Sequence, residues 1–311
     1  MPVGAYAVAS DTGRRRRRNE DNYVVAPPLF AVADGMGGAQ AGEVASRLAA
    51  SALEAADSEG LEGVEGIDAL IQEANRRIFD RASTDPSASG MGTTMTVAVV
   101  EGMTVVIGHV GDSRAYLVRG EQMEQLTDDH SLVNELLKTG KLSEQEAQVH
   151  PQRSVITRAV GTDPDVDVDG FTIEAEEGDV FLICSDGLSD MVADEEILEI
   201  VHTNRDNLEK AVQGLVAAAN RGGGEDNITA VAFRVSAEVP PVSLEDTVPM
   251  PAITDDPDEP DEQTREYADP APEDTADEPE PAGGARRVPI VVAAIVLLAL
   301  AAALVVWWLS R

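Results

Sequence analysis

Three observations predict an α+β fold for this 311-residue chain. Short β-branched runs of strand length group apart from the helix-periodic stretches instead of alternating with them. The segments joining the middle runs are too short for a parallel crossover, so those strands pair antiparallel. Hydrophobic residues make up 43% of the chain, ample for a packed core.

Taken in order, the apolar runs 29–33, 93–100, 104–110, 115–118, 180–184 and 228–235 have the length and β-branched content of strands. The runs 93–100, 104–110 and 115–118 are expected to form successive antiparallel hairpins. Apolar residues recur with helical period over 41–56, 67–82, 132–138, 195–202 and 208–220. No internal repeat interrupts this pattern.

Composition divides the chain into three parts. Residues 1–236 read as a globular domain. Residues 237–285 are rich in Pro, Asp and Glu, with Tyr267 their only aromatic. Such a segment buries too little apolar surface to offset chain entropy, so it is expected to be a disordered acidic tether. Residues 286–311 begin with Arg286 and Arg287 and continue into the uncharged stretch 288–309, where Trp307 and Trp308 suit a membrane interface. At 1.5 Å per residue, about 22 residues cross a ~30 Å hydrocarbon core. A single-pass C-terminal transmembrane helix is expected, with the positive-inside tendency placing the preceding domain in the cytoplasm.

The net charge of −34 argues against nucleic-acid binding, which needs clustered Lys and Arg to neutralise phosphates. Cys184 is the single cysteine, so no intrachain disulfide can form, and a reducing compartment is the natural reading. The first ten residues lack the length and apolar content of a secretory signal.

The chemistry lies where the strands end. Run 29–33 leads into Asp34-Gly35-Met36-Gly37-Gly38, and run 104–110 into Gly111-Asp112-Ser113-Arg114. Run 180–184 leads into Ser185-Asp186-Gly187. Asp226-Asn227 precedes 228–235, and Asn19-Glu20-Asp21-Asn22 precedes Tyr23-Val24-Val25. Asp-Gly after a strand is most often only a turn. Five such strings, each at the end of an apolar strand, would gather several carboxylates at one sheet rim. Like charges that close cannot all stay ionised without a counter-ion. Hard divalent cations with oxygen ligands, Mg²⁺ or Mn²⁺, answer that need.

The ordered set Gly-x-x-Arg-x-x-Asn-Glu-Asp, Asp-Gly-Met-Gly-Gly, Gly-Thr-Thr, Gly-Asp-Ser-Arg, Ser-Asp-Gly-Leu and Asp-Asn, over residues 4–236, resembles the bacterial branch of the metal-dependent protein phosphatases, the PPM or type 2C family. The resemblance implies two antiparallel sheets packed as a sandwich with helices on both outer faces. It implies a serine/threonine phosphatase in which a two-metal-activated water hydrolyses phosphoserine and phosphothreonine without a phosphoenzyme. Two Mn²⁺ or Mg²⁺ ions are implied, and a third in bacterial members. Asp34 would bridge two ions, with the Gly35 carbonyl on one; Asp186 and Asp226 would complete the other shell. Asp112 with Asp186 would hold the third, and Asp21 would orient water. Arg16 matches the arginine that grips the substrate phosphate, with Arg15, Arg17 and Arg18 as alternates within the run.

Met36 stands where eukaryotic members often carry His, and Ala39-Gln40 where bacterial relatives often show His-Ala, so the general acid is unassigned. Residues 131–155 correspond to the flap beside the active site. His109 is expected in the core or rim, His130 as a helix cap, His150 in a loop and His202 at a helix C-terminus. Cys184 has Asp190, not Arg, six residues later, so it reads as a small buried hydrophobe. Expected partners are phosphoproteins, including membrane-associated bacterial Ser/Thr kinases and their targets. The competing readings are a catalytically silent membrane-tethered binding module and a hydrolase of another phosphomonoester.

Overall fold

The computed structural model describes residues 3–37, 41–56, 62–148 and 150–237. Its strands form two antiparallel sheets. The first joins β1 (Val3–Asp11), β11 (Ile228–Val235), β10 (Val180–Cys184), β7 (Arg114–Arg119) and β8 (Gln122–Gln125), in that spatial order. The second runs β2 (Asp21–Ala26), β3 (Leu29–Met36), β5 (Met95–Glu101), β6 (Thr104–Val110) and β9 (Asp169–Glu174), with β4 (Gly92–Thr93) paired to the end of β3.

Strands buried on both faces read as continuous apolar runs, and these do. On β3, Phe30 and Val32 face the opposing sheet, while Leu29, Ala31 and Ala33 face the helices. On β10 and β11 the same period of two sends Phe181, Ile183, Val231 and Phe233 inward between the sheets. Leu182, Cys184, Ala230 and Ala232 turn outward beneath the other helical layer. Phe233 stacks on Phe30 with ring centroids 4.2 Å apart and on Phe181 at 5.3 Å, a column that joins the two sheets.

Helices α1 (Ala41–Glu54) and α2 (Gly63–Thr84) cover the second sheet. The small residues Ala41, Ala45, Ala49 and Ala52 line the buried face of α1. Gly108 and Gly170, cross-strand partners on β6 and β9, let α2 approach. A Cβ on Gly108 would meet Ile67 at 2.1 Å, and one on Gly170 would meet Val64 at 2.4 Å. Over the first sheet lie the short α5 (Asp186–Ser189), α6 (Asp194–Thr203) and α7 (Leu208–Gly222). The Asn207 side chain caps α7 by accepting from the Lys210 N–H. Helices α3 (Leu132–Lys138) and α4 (Glu144–Gln148) lie in the segment between β8 and β9.

The α+β sandwich with helices on both faces is thus present. One connection differs from expectation: β6 and β7 do not form a hairpin. Residues 111–113 carry the chain from the second sheet to the first, where β7 pairs with β10 and β8. Gly111 sits at φ +113°, and a Cβ there would meet Thr94 at 2.6 Å. Its N–H donates to His130 Nδ1 and its carbonyl accepts from the His130 N–H, so the link is held tight. Strands β1, β8 and β9 and helices α4 and α5 add to the elements read from sequence. Among the described residues no helix is long and apolar enough to cross a membrane. The expected tether beyond residue 237 and the apolar stretch 288–309 lie outside the described residues.

Candidate metal centre

The five aspartates singled out from sequence fall at strand ends on both sheets. Asp21 and Asp34 are cross-strand partners at the end of the β2–β3 ladder. Asp186 opens α5 directly after β10, and Asp226 lies just before β11. Asp112 sits in the 111–113 link between the sheets.

Asp21 is 6% exposed. Its Oδ2 accepts hydrogen bonds from Ser185 Oγ at 2.8 Å, just after β10, and from Thr229 Oγ1 at 2.7 Å, on β11 of the other sheet. Its Oδ1 has no protein partner, and neither does Asp112 Oδ1 or Asp186 Oδ1. Buried carboxylate oxygens left unpaired are costly, and three in one rim demand an explanation.

The electrostatics say the same. Burial, opposed by the two hydroxyls and reinforced by Asp226, pushes Asp21 up to about 6. Burial, with Asp129 and Asp190 adding to it, pushes Asp112 up to about 7. Asp34 and Asp186 keep a solvent-facing edge, yet burial of their carboxyl groups and then their aspartate neighbours drive both well above the usual carboxylate range. Among the described residues only Asp226 of the five has an arginine or lysine within salt-bridge distance.

This donor set fits a hard divalent cation. Among the described residues no three carboxylate, imidazole or thiol groups close on one point as a ready-made cage. That arrangement suits Mg²⁺-like ions, which keep several waters and bind through one or two carboxylates each. The backbone supports it. The Gly35 N–H donates to the Glu20 carbonyl, and a Cβ on Gly35 would strike the Gly42 carbonyl at 2.1 Å, so Gly alone fits between β2 and α1.

Arg16 is the member of the arginine run aimed at the site. Its Nη2 lies 2.5 Å from Asp226 Oδ2, and its guanidinium also feels Glu20 and Asp34. Arg18 lies 3.6 Å from Glu43 instead. The other histidine and cysteine expectations divide. His109 is buried between Thr96 Oγ1 and the Asp128 carbonyl, and His202 ends α6 as read. His150 lies in a loop and accepts from the Gln152 N–H. His130 is not a cap: the Ser131 hydroxyl caps α3, leaving the His130 ring between the Gly111 N–H, Asp169 and Arg158. Cys184 is buried and its thiol is pushed up to about 12, so it is no nucleophile. A cavity of about 870 Å³ opens beside Asp112 and Asp186 toward α3, Arg153 and Asp190.

Sequence reasoning assigned no role to Ser185, Thr229, Thr94 or Asn227. Thr94 Oγ1 accepts from the Asp34 N–H at 2.9 Å. Asn227 accepts from the Glu20 N–H and donates to the Thr12 and Arg18 carbonyls, tying the β1–β2 loop to β11. Ser185, Thr94 and Asn227 stood inside the quoted motif strings. Thr229, in mid-strand, carried no signal of its own.

Comparison with known proteins gives a consistent picture. Residues 15–219 match the family described as protein phosphatase 2C. The serine/threonine phosphatase stp of Listeria innocua is 43% identical over 231 residues, 71% of this chain and 91% of that protein. The Mycobacterium tuberculosis serine/threonine phosphatase PstP/Ppp superposes with a TM-score of 0.71 at 40% identity, covering 75% of this chain and 99% of that one. The catalytic domain of PstP in complex with two manganese ions gives a TM-score of 0.70 at 38% identity, with the same coverage.

Proposed function

The chain belongs to the protein phosphatase 2C family and is a metal-dependent protein serine/threonine phosphatase, and from that premise we propose which of its residues carry the reaction. Its cofactors are Mn²⁺ or Mg²⁺, two ions per active site. Asp34, with the Gly35 carbonyl, Asp186 and Asp226, holds these two, and Asp112 with Asp186 holds a third. When bound, the ions lower the pKa of water and neutralise the charge of a transferring phosphoryl group.

The chain's own groups do the rest. Asp21, clamped through one oxygen by Ser185 and Thr229, keeps its Oδ1 without a protein partner and with it orients the attacking water as a hydrogen-bond acceptor. Arg16 exchanges its contact with Asp226 for the substrate phosphate, where a planar guanidinium can bind two oxygens. No side chain serves as nucleophile: Cys184 is buried, and the Ser185 hydroxyl is committed to Asp21. The water therefore attacks phosphorus directly, and no phosphoenzyme forms.

The observation that carries this reading is the set of unpartnered buried oxygens on Asp21, Asp112 and Asp186. The test is phosphate release from a phosphothreonine peptide by the full chain with Mn²⁺, with excess EDTA, and in Asp34→Asn. Release that needs metal and falls in the variant by more than the ~100-fold typical of losing an outer-shell partner supports it. Release that survives EDTA or the substitution overturns it.

The reading extends to location. The uncharged stretch 288–309 behind Arg286 and Arg287 spans a bilayer, and the acidic residues 237–285 tether the domain on the cytoplasmic side. There it opposes membrane-associated Ser/Thr kinases. Support comes from sequence composition, and resistance of the chain to alkaline extraction from membranes is the check.

A further inference from the structure

Five consecutive arginines, Arg14 to Arg18, form the loop between β1 and β2. In a chain of net charge −34 such a run is a marked local concentration of positive charge. Only Arg16 is needed by the site as derived above. Arg18 lies against Glu43, while Arg14, Arg15 and Arg17 are exposed and have no carboxylate within 4.0 Å among the described residues.

The loop that bears them is not free to drift. The N–H groups of Arg14 and Arg15 both donate to the Gly224 carbonyl, at 2.7 and 3.2 Å. Gly13 sits at φ +77°, and a Cβ there would strike the Asp226 carbonyl at 2.1 Å. Asn227 holds the Thr12 and Arg18 carbonyls from the other side. The backbone of the run is therefore fastened to the segment that presents Asp226. Arg16 turns in toward Asp226, and Arg14, Arg15 and Arg17 lie within two positions of it on the same fastened loop.

We propose that Arg14, Arg15 and Arg17 form an anionic-flank subsite, selecting phosphorylated segments that carry further negative groups, either carboxylates or a second phosphate, near the phosphoresidue to be hydrolysed. The proposal rests on the phosphatase reading above. Three exposed guanidiniums in a fixed loop can each meet a flanking anion, bidentately if it is carboxylate or phosphate. Their effect is screened by salt, because all three lie in water. An anionic bilayer is the less suitable partner, since the surrounding surface of this acidic chain would be repelled from it.

The experiment compares full-length wild type with the triple variant Arg14→Gln, Arg15→Gln, Arg17→Gln. Substrates are phosphothreonine peptides with neutral flanks, with glutamate flanks and with a second phosphothreonine nearby. The expected wild-type kcat/KM ratio of anionic to neutral flanks is about five- to tenfold at low salt, falling toward one as salt rises. In the triple variant the ratio should fall to about one at all salts. The glutamate and second-phosphate arms show which anion the subsite favours. A ratio near one in wild type overturns the proposal, as does a ratio the variant leaves unchanged. If instead the triple variant loses only binding to phosphatidylserine vesicles, the run is a membrane contact and the proposal also fails. Hydrolysis of the neutral-flank peptide tests the phosphatase reading separately, so failure of the two can be told apart.

Discussion

Asp21 and Asp34 face each other across the β2–β3 ladder, and Asp21 alone of the pair is clasped by two hydroxyls, that of Ser185 just after β10 and that of Thr229 on β11. The clasp stabilises the ionised form of Asp21 against its burial. Removing it with Ser185→Ala or Thr229→Val should weaken Mn²⁺ binding by roughly tenfold each, the scale of losing an outer-shell partner. The readout is the Mn²⁺ concentration that raises the melting temperature. Unchanged midpoints would show that the hydroxyls serve packing alone.

The metal-free protein should grow less stable as pH rises from 5.5 to 8. A carboxylate whose folded pKa is raised binds its proton more readily in the folded state. Its stabilisation is complete below the unfolded value near 4, and it is lost as pH climbs through the folded values, about 6 for Asp21 and about 7 for Asp112. In EDTA the melting temperature should drop by several degrees across that window. Saturating Mn²⁺ should reverse the trend, because its ligands must be deprotonated. A metal-free melting temperature that stays level or rises with pH would count against the clustered carboxylates.

Arg16→Ala should lower kcat/KM for a phosphothreonine peptide by about 10- to 100-fold, the value of a charge-assisted hydrogen bond. Arg16→Lys should recover only part of this, since an ammonium keeps the charge but not the two-pronged geometry. Full recovery with lysine would show that charge alone suffices.

Phe233 lies between Phe30 and Phe181 at the centre of the sandwich and is wholly buried. Phe233→Ala should cost about 3–5 kcal/mol in urea unfolding with Mn²⁺ present. A loss below about 1 kcal/mol would mean the sheets close over the gap.

Much of this was legible in the sequence because the central strands are buried on both faces. The runs 104–110, 180–184 and 228–235 coincide with β6, β10 and β11, where hydrophobicity is unbroken. β9 alternates half-buried and exposed residues, and β8 carries Gln122, Glu124 and Gln125, so neither edge stands out by hydrophobicity. The change of sheet after β6 was hidden because a three-residue link looks like a hairpin turn; only the pairing partners of β7 reveal it. His130 read as a cap from its place before a helix. Its tertiary neighbours Gly111, Asp169 and Arg158 decide otherwise. The aspartates were visible because each follows or precedes an apolar strand. The hydroxyl clasp on Asp21 joins residues 164 and 208 positions away, a separation that motif spacing does not encode.

The link at residues 111–113 has a consequence for how this chain can vary in length. Gly111 is fastened to His130 through both its N–H and its carbonyl, while Ser113 is held by Thr94 and Thr96. β7 begins at once beyond it, with side chains alternating between the two cores. One inserted residue would move Asp112 off the rim and turn every β7 side chain to the wrong face. The hairpins at Gly102 and Gly120, each with open space around it, have room to lengthen. Insertions across related chains should therefore accumulate at those two turns and be absent between Val110 and Arg114.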